Sequence, residues 1–383
     1  MKKRIFSALI VLVLALSACG RSSQDNASNT EQSTTTNTTT GNATNNSANN
    51  TTGNTGNASA QTITTAGTHV LTGNITDKTV TIAVPNNETV ELVLDNVTIK
   101  NTAGPALYIQ SAGEVVLTLK DGTANTISDG SSYDKFEGYM DVDAAIYSNA
   151  NLTIHGDGSL TVLGNYEHGI SSNGNLTVTN GNINITAKKS AIEAENDLTI
   201  SDGDITVTKS ENGLEADHIY LAGGYTVINA TEEGIDSDGI LDISGGITLI
   251  STPATADSSA LDYDTRANIT GGVIVALGST HMSHSTFSSE KQAVMTSTFA
   301  TQKAGSSFLI TDKDNRVIVS FTPGNEYDCA IVSSPHMTAG AAYHVVVDAV
   351  VEHADKNGFA ENSIYTGGTK IDIVDLSTQR TTK

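Results

Sequence analysis

The sequence predicts an all-β fold: a parallel β-helix, or solenoid, with about 21–26 residues per coil, followed by a C-terminal β module. The first observation is a small residue followed by an aliphatic one, which recurs at Ala145-Ile146, Gly169-Ile170, Ala191-Ile192, Gly213-Leu214, Gly234-Ile235 and Ala260-Leu261. The steps between successive aliphatic residues are nearly equal, the last one being the longest, and glycine turns recur with a similar period. The second observation is that no segment shows a helical period, which excludes helical and leucine-rich repeats. Short alternating strands at such a period are typical of a solenoid.

The unit that begins at Ile192 shows how one coil is built. It contains three short alternating stretches, and the turn Asp202-Gly203 separates the last two. Alternation in a strand points its Ile, Ala, Leu and Val side chains to one side, which becomes the interior. Three strands per coil are therefore predicted.

Four consecutive units carry two acidic residues, at i and i+2, just after the opening aliphatic residue. The pairs are Glu193 and Glu195, Glu215 and Asp217, Asp236 and Asp238, and Asp262 and Asp264. Alternation points both acids outward, so stacked coils predict two columns of carboxylates with about 4.8 Å between rungs. Like charges at that spacing repel by about 1 to 3.5 kcal/mol per neighbouring pair, depending on the dielectric. The pattern therefore predicts a compensating partner.

Calcium is the partner that the pattern favours. Ca²⁺ takes oxygen ligands at about 2.3–2.6 Å, so two facing carboxylates span roughly one step between coils. The eight acids are therefore predicted to bind Ca²⁺. The alternative is a solvated acidic face that only blocks lateral aggregation.

Residues 1–18 predict a lipoprotein signal peptide. A basic start precedes an apolar run from Ile5 to Leu16, which is too short to span a membrane as a stable anchor. The run ends in a stretch that resembles a bacterial lipobox, which implies lipidation of Cys19 and anchoring at the extracellular face of the bacterial cell membrane. Ordinary cleavage with an incidental cysteine is the alternative. Residues 19–61 are almost entirely small and polar and are predicted to form a disordered tether.

The β-helix is predicted over residues 62–280. Ala106-Leu107 opens an earlier coil, and residues 128–143 interrupt the period as an inserted loop. The period is lost after Leu277. Residues 281–375 predict a β module that covers the last coil and contains a hairpin, and residues 376–383 predict a loose tail.

The formal net charge of −22 makes nucleic acid and anionic membrane surfaces poor partners for this chain. Any contact with a membrane is therefore predicted to be only through the lipid on Cys19. Charged residues make up 16% of the sequence, so the acids are concentrated in the repeats rather than spread over the chain. This concentration favours a site.

Three stretches resemble a known family. They begin at Gly67 (GTHVLTG), Gly169 (GISSNGNLTV) and Gly271 (GGVIVALG), and they are similar to bacterial surface lipoproteins of the carbohydrate-binding domain-containing family. The resemblance covers about residues 62–343. It implies a right-handed parallel β-helix like that of polysaccharide lyases, Ca²⁺ along the rungs, and binding of cellulose or acidic polysaccharide. Carried over by position, the calcium ligands are the eight acids. Two earlier rungs, with Tyr147 and Ser171 in place of the first acid, depart from the pattern.

One function that follows is a non-catalytic surface module that binds polysaccharide on the calcium-bearing face. Calcium keeps coordination sites that uronate carboxylates and sugar hydroxyls can fill. The chain has no tryptophan, so we expect uronate-containing chains rather than flat crystalline cellulose. Tyr139, Tyr147 and Tyr263 are the candidates for stacking on sugars.

A second function, from a different class, is a calcium-dependent polysaccharide lyase that acts by β-elimination. This reaction needs a base that removes the proton next to the uronate carboxylate. Arg266 is the best-placed candidate, although neutralisation of the adjacent acids explains it better. A third interpretation is a purely structural surface protein stabilised by calcium. The sequence favours the binding module and leaves the other two open.

Overall fold

The computed structural model describes residues 61–133, 141–284, 287–288 and 291–376. The predicted signal peptide, Cys19, the tether up to residue 60, Tyr139 and residues 377–383 lie outside the described residues. Within the described ranges, no helix is long and apolar enough to cross a membrane.

The described chain is almost entirely β-strand, with one 3₁₀ helix at Thr280–His284. The strands are β1 (Gln61–Ile63), β2 (Gly67–Thr76), β3 (Val80–Ala83), β4 (Thr89–Lys100), β5 (Leu107–Ser111), β6 (Glu114–Leu119), β7 (Ala124–Ser128), β8 (Ala144–Ser148), β9 (Asn151–His155), β10 (Ser159–Gly164), β11 (His168–Ser172), β12 (Leu176–Val178), β13 (Asn182–Ala187), β14 (Ile192–Ile200), β15 (Asp204–Ser210), β16 (Leu214–Leu221), β17 (Tyr225–Ala230), β18 (Glu233–Ile243), β19 (Ile247–Ser251), β20 (Ser259–Tyr263), β21 (Arg266–Ile269), β22 (Val273–Gly278), β23 (Phe287–Ser288), β24 (Val294–Gln302), β25 (Phe308–Thr311), β26 (Val317–Phe321), β27 (Tyr327–Ser333), β28 (Ala342–Val351), β29 (Ala360–Ser363) and β30 (Tyr365–Asp375).

Strands β1–β23 stack in three columns, which we call faces 1, 2 and 3. Face 1 contains β1, β3, β5, β8, β11, the first parts of β14, β16 and β18, and β20. Face 2 contains the first parts of β2 and β4, then β6, β9, β12, the second parts of β14, β16 and β18, β21 and β23. Face 3 contains the second parts of β2 and β4, then β7, β10, β13, β15, β17, β19 and β22. All these pairings are parallel, which confirms the predicted parallel β-helix with three strands per coil.

The repeat found in the sequence is the ladder of face 1. Its aliphatic residues pair one to one in successive coils, and none is more than 1% exposed. They are Ile146, Ile170, Ile192, Leu214, Ile235 and Leu261. Leu107 continues the ladder one coil earlier, as predicted. Full burial of one such side chain stabilises a fold by about 1.5–3 kcal/mol, so this apolar ladder holds the register of the coils.

The small residue before each aliphatic one is required by the stacking. A Cβ atom added at Gly169 would lie 2.6 Å from the carbonyl oxygen of Ala191 in the next coil and 2.7 Å from Cγ2 of Ile185. Real Cβ atoms do not approach other atoms this closely. The coils therefore pass each other at these positions with room for glycine or, at Ala145, Ala191 and Ala260, for alanine.

Antiparallel strands continue the solenoid at its C-terminal end. β27 pairs with β22 of face 3 and with β24, so the last sheet edge is extended. A separate five-stranded antiparallel sheet has the order β29-β26-β25-β28-β30. The hairpin predicted around residues 312–315 is β25 and β26.

A second apolar core lies between the outer side of face 3 and the five-stranded sheet. Leu249 and Val275 of the solenoid cluster there with Phe308 and Val319 of the sheet. For this reason β19 and β22 are buried on both sides and are nearly continuous apolar runs, whereas β10 and β13 alternate. The C-terminal module thus extends the last coil, where it was predicted, and also covers the flank of the last three coils of face 3.

Candidate functional site

Four carboxylates form a column along face 1, which we call the acid column: Glu193, Glu215, Asp236 and Asp262. β14, β16, β18 and β20 pair these residues one to one in successive coils. Each follows a buried aliphatic residue by one position, so alternation points it away from the core. Asp262 is exposed and the other three are half-buried. The column has the geometry that the sequence pattern predicts, and its metal binding stays a prediction.

The second acids of the four pairs are Glu195, Asp217, Asp238 and Asp264. All four are exposed and lie at the corner between faces 1 and 2. The pairing of β14 with β16 and of β16 with β18 shifts register at this corner. The second acids therefore do not form the predicted in-register column on a flat sheet, because the chain changes direction where they occur.

A second row of side chains lies beside the acid column, two residues before the aliphatic residue of each coil. We call it the inner row, and it contains His168, Ser190, Asn212 and Glu233. Ser190 Oγ donates to Glu215 Oε2 at 2.5 Å, and Asn212 Nδ2 donates to the same oxygen at 3.3 Å. His168 Nδ1 lies 3.4 Å from Glu193 Oε2. In the first coils of the column, the inner row thus supplies neutral donors or an imidazole to the carboxylates.

The C-terminal end of the column has carboxyl groups in both rows. Glu233 occupies the place that Ser190 and Asn212 have in earlier coils. Burial, followed by the charges of Glu233, Glu215 and Asp262, raises the pKa of Asp236 to about 8. Burial, followed by the charge of Asp262, also raises the pKa of Glu233.

The negative charge at this end is not balanced by nearby basic residues. Among the residues that the structure describes, no lysine or arginine forms an ion pair with Glu233, Asp236 or Asp262. Three neighbouring carboxyl groups without a cation, two of them half-buried, disfavour the ionisation of one another. This region is therefore the part of face 1 that a cation would stabilise most.

A cavity of about 510 Å³ opens beside these carboxyl groups. Its lining includes Glu233, Asp257, Ser259, Asp262, Tyr263 and His281. The wall that carries Asp257 belongs to the loop between β19 and β20, whose extra length makes the last step of the repeat the longest one. The volume falls within the range of about 300–1,000 Å³ that is usual for small-ligand sites.

A metal-binding candidate of different composition lies at the N-terminal end of the acid column. Asp143, His168 and Glu193 come from three successive coils, and one ligand atom of each lies within 4.8 Å of the other two. His168 Nε2 is 3.8 Å from Asp143 Oδ2. Burial raises the pKa of Asp143 to about 6, and burial lowers the pKa of His168.

The structure places the predicted sugar-stacking tyrosines in different surroundings. Tyr263 lines the cavity, with its ring centroid 5.9 Å from that of Phe287. Tyr147 is 4% exposed, packs with Tyr108, and its hydroxyl accepts a hydrogen bond from Asn173 at 2.9 Å. The structure therefore does not offer the Tyr147 ring to a sugar.

The candidate lyase base, Arg266, lies on face 2. Its Nη2 is 3.7 Å from Asp242 Oδ2 on the neighbouring coil, and its side chain is 54% exposed. The arginine therefore neutralises an acid outside the acid column.

Sequence reasoning missed Asp143, His168 and Glu233 as site residues. The inner row has a signal that was available: His168 and Glu233 stand two residues before the aliphatic residue, as Ser190 and Asn212 do. A search for polar residues at that fixed position in every coil would have found this row.

Comparisons with known proteins agree with the β-helix fold. A family model described as carbohydrate-binding domain-containing protein matches residues 55–318. A carbohydrate-binding domain-containing protein of Acetivibrio thermocellus is 31% identical over 188 residues, which are 49% of this chain and 65% of the relative. The chain thus spans slightly less than two thirds of that relative's length. The solved polysaccharide lyase-like protein from C. thermocellum, a gadolinium derivative, is similar with a TM-score of 0.54 and 28% identity, over 58% of this chain and 92% of that one.

Proposed function

Because the chain belongs to the carbohydrate-binding domain-containing protein family, we propose that it binds polysaccharide on face 1, at the C-terminal end of the acid column. The carboxylates of Glu233, Asp236 and Asp262 hold Ca²⁺ there, and the adjacent cavity receives the sugar. The observation that carries the proposal is this cluster of three carboxyl groups, without a basic partner among the described residues, two of which, Glu233 and Asp262, line a cavity of about 510 Å³.

The donor set favours calcium over other cations. All the donor atoms offered by Glu233, Asp236 and Asp262 are carboxylate oxygens, which hard cations prefer. Calcium takes six to eight oxygen ligands, so three carboxylates leave positions for water or for a ligand. Asp257, on the loop that forms one wall of the cavity, is a further oxygen donor at its rim.

The ligand that fits this arrangement is a uronate-containing polysaccharide. A uronate carboxylate can complete the coordination of a bound calcium ion, whereas the uncompensated acids would repel it in the absence of the ion. Tyr263 offers an aromatic surface at the cavity, and aromatic rings pack well on the apolar faces of sugars. The chain contains no tryptophan for a broad, flat platform, which argues against crystalline cellulose.

The proposal places the protein at the extracellular face of the bacterial cell membrane. The signal-like N-terminus and the lipobox-like stretch before Cys19 support this placement. A Cys19→Ala variant expressed in the native type of host should be released from the membrane fraction, whereas the native chain stays with it. Equal amounts in the soluble fraction would contradict the lipid anchor.

The decisive experiment measures binding to polygalacturonate and to cellulose, in millimolar Ca²⁺ and in chelator, together with thermal unfolding under the same conditions. We expect binding to polygalacturonate only with calcium. We also expect a higher melting temperature, because a ligand at 100 times its Kd stabilises the folded state by about 2.7 kcal/mol.

The other outcomes separate the alternatives. A calcium-dependent melting temperature without binding to either polysaccharide would identify a structural calcium protein. Formation of unsaturated uronate products, detected by their absorbance, would identify a lyase. A melting temperature that does not respond to calcium would contradict the calcium site itself.

A further inference from the structure

The N-terminal end of the acid column brings together a nitrogen donor and two carboxylates from three coils. Asp143 directly precedes β8, His168 begins β11 and Glu193 is in β14. His168 pairs with Ala144, the neighbour of Asp143, and Glu193 pairs with Ser171. The stacking of the coils therefore holds these three residues together, although they are far apart in the sequence.

We propose that Asp143, His168 and Glu193 form a second cation site, for a divalent ion of the zinc class that accepts an imidazole ligand. The site is separate from the all-oxygen calcium site at the other end of the acid column. Calcium binds oxygen almost exclusively and needs six to eight ligands, whereas zinc accepts a mixture of His, Asp and Glu and needs four. A set of one imidazole and two carboxylates, with water as the fourth ligand, fits the zinc class.

The distances within the cluster agree with this class. Zinc bonds of about 2.0–2.2 Å at tetrahedral angles place neighbouring ligand atoms about 3.3–3.6 Å apart. His168 Nδ1 is 3.4 Å from Glu193 Oε2, and His168 Nε2 is 3.8 Å from Asp143 Oδ2. One ligand atom of each of the three residues lies within 4.8 Å of the other two, so the three side chains close in around an ion by a small contraction of the cluster.

Two hydrogen-bond acceptors face each other in the cluster, in addition to the hydrogen bond that Ser171 Oγ donates to Glu193 Oε2 at 3.2 Å. The backbone N–H of Ser190 donates to His168 Nδ1 at 3.2 Å, so that nitrogen carries a lone pair while Glu193 Oε2 faces it. Two acceptors at this distance repel each other unless a proton or a cation lies between them. Asp143 Oδ1 is buried and has no hydrogen-bond partner within the described residues.

Charge and access also favour a cation. Lys189, which directly precedes the coil of Glu193, forms an ion pair with Glu167 at 4.0 Å and not with the cluster. The side chains of Asp143 and Glu193 are 31% and 21% exposed, so an ion can reach the cluster from solvent.

The test is a titration of the metal-free full chain with Zn²⁺ by calorimetry, and with Co²⁺ as a coloured substitute followed by visible absorption. His168→Gln removes the imidazole but keeps an oxygen that can accept the Ser190 N–H. His218→Gln is the matched control, because His218 Nδ1 also faces a carboxylate, Asp217, at 3.0 Å but has no second acid in a comparable cluster among the described residues. Asp143→Asn is a second variant of the site, in case the first does not fold.

We expect His168→Gln and Asp143→Asn to weaken Zn²⁺ binding by at least about tenfold, the loss that even an outer-shell partner causes, and to change the Co²⁺ spectrum. His218→Gln should bind as the native chain does. Native affinity in both site variants, or an equal loss in the His218→Gln control, would overturn the proposal. Calcium titrations of the same variants keep this result separate from the proposed function, since calcium binding at Asp236 and Asp262 should survive in all of them.

Discussion

The two ends of the acid column have the same backbone and differ in what balances their carboxylates. At Glu193 and Glu215, the inner row presents an imidazole, a hydroxyl and an amide, with Ser190 and Asn212 donating to Glu215. At Asp236 and Asp262, the inner row presents Glu233 instead, and burial and repulsion raise the pKa of Asp236. The comparison shows that the side chain two residues before the aliphatic residue decides whether the carboxylate of a rung has a neutral partner or a second acid beside it.

The largest expected effect is on calcium and polysaccharide binding by the two ends. Asp236→Asn with Asp238→Asn should weaken calcium binding by about 100-fold, because it removes a central ligand and a nearby charge. Glu193→Gln with Glu195→Gln should weaken it by less than about tenfold, because this rung lies two coils before Asp236 and does not supply the proposed calcium ligands. Asn and Gln keep the size and one acceptor of the acid, so the fold should survive in both.

Calorimetric titration with Ca²⁺, followed by binding to polygalacturonate, measures this difference. Equal losses in the two double variants, or no loss in either, would mean that calcium does not follow the acid column. Loss of polysaccharide binding with unchanged calcium binding would place the sugar, but not the ion, at Asp236.

The next effect is the pH dependence of stability in chelator. The pKa of Asp236 is raised from 3.8 to about 8 in the folded protein, so between these values the folded state binds more protons than the unfolded state. The contribution of Asp236 to the free energy of unfolding should therefore be largest below about pH 4. It should fall as the pH rises to about 8. Asp143 and Glu233, whose pKa values are also raised, contribute in the same direction.

Thermal unfolding between pH 4 and 8 tests this sign. Asp236→Asn should show a shallower decline than the native chain, because asparagine does not titrate, and saturating calcium should flatten the native curve. Glu195→Gln, at the exposed corner, serves as the control and should keep the native slope. A decline that is as steep in Asp236→Asn as in the native chain would show that this carboxyl group is not the cause.

Much of the fold was predictable because the repeated aliphatic residues all belong to one ladder of stacked strands, on face 1. The positions from Ile146 to Leu261 fix which residues stack, so the register of face 1 and of the acid column follows from their spacing. The corner was not predictable from alternation alone. Glu195 and Asp217 look equivalent to Glu193 and Glu215 in sequence, but the chain bends between them.

The candidate sites were not predictable in the same way, because their residues are far apart in the sequence and meet only through the stacking of the coils. His168 faces Glu193 in the next coil, and not the residues next to it in its own coil. The C-terminal sheet buries the outer side of face 3, and the largely apolar sequences of β19 and β22 indicate this burial. It was missed because strands that are buried on both sides do not show the alternation by which the other strands were found. Tyr147 was misjudged for a related reason, since its neighbours across the coils, including Tyr108, cover it.

The smallest expected effect is that of replacing Arg266, which lies on face 2, away from both ends of the acid column. Its side chain is 54% exposed and its ion pair with Asp242 is 3.7 Å long, so Arg266→Ala should lower the free energy of unfolding by no more than about 1 kcal/mol. Calcium binding and binding to polygalacturonate should not change, and Arg266→Lys, which keeps the charge, should match the native chain in all measurements. If the native chain instead forms unsaturated uronate products steadily in calcium, and Arg266→Ala abolishes this turnover without loss of binding, Arg266 acts as the base of a lyase. In that case the functional surface would extend across the corner from face 1 to face 2, and the acid column would hold the substrate for a reaction on the neighbouring face.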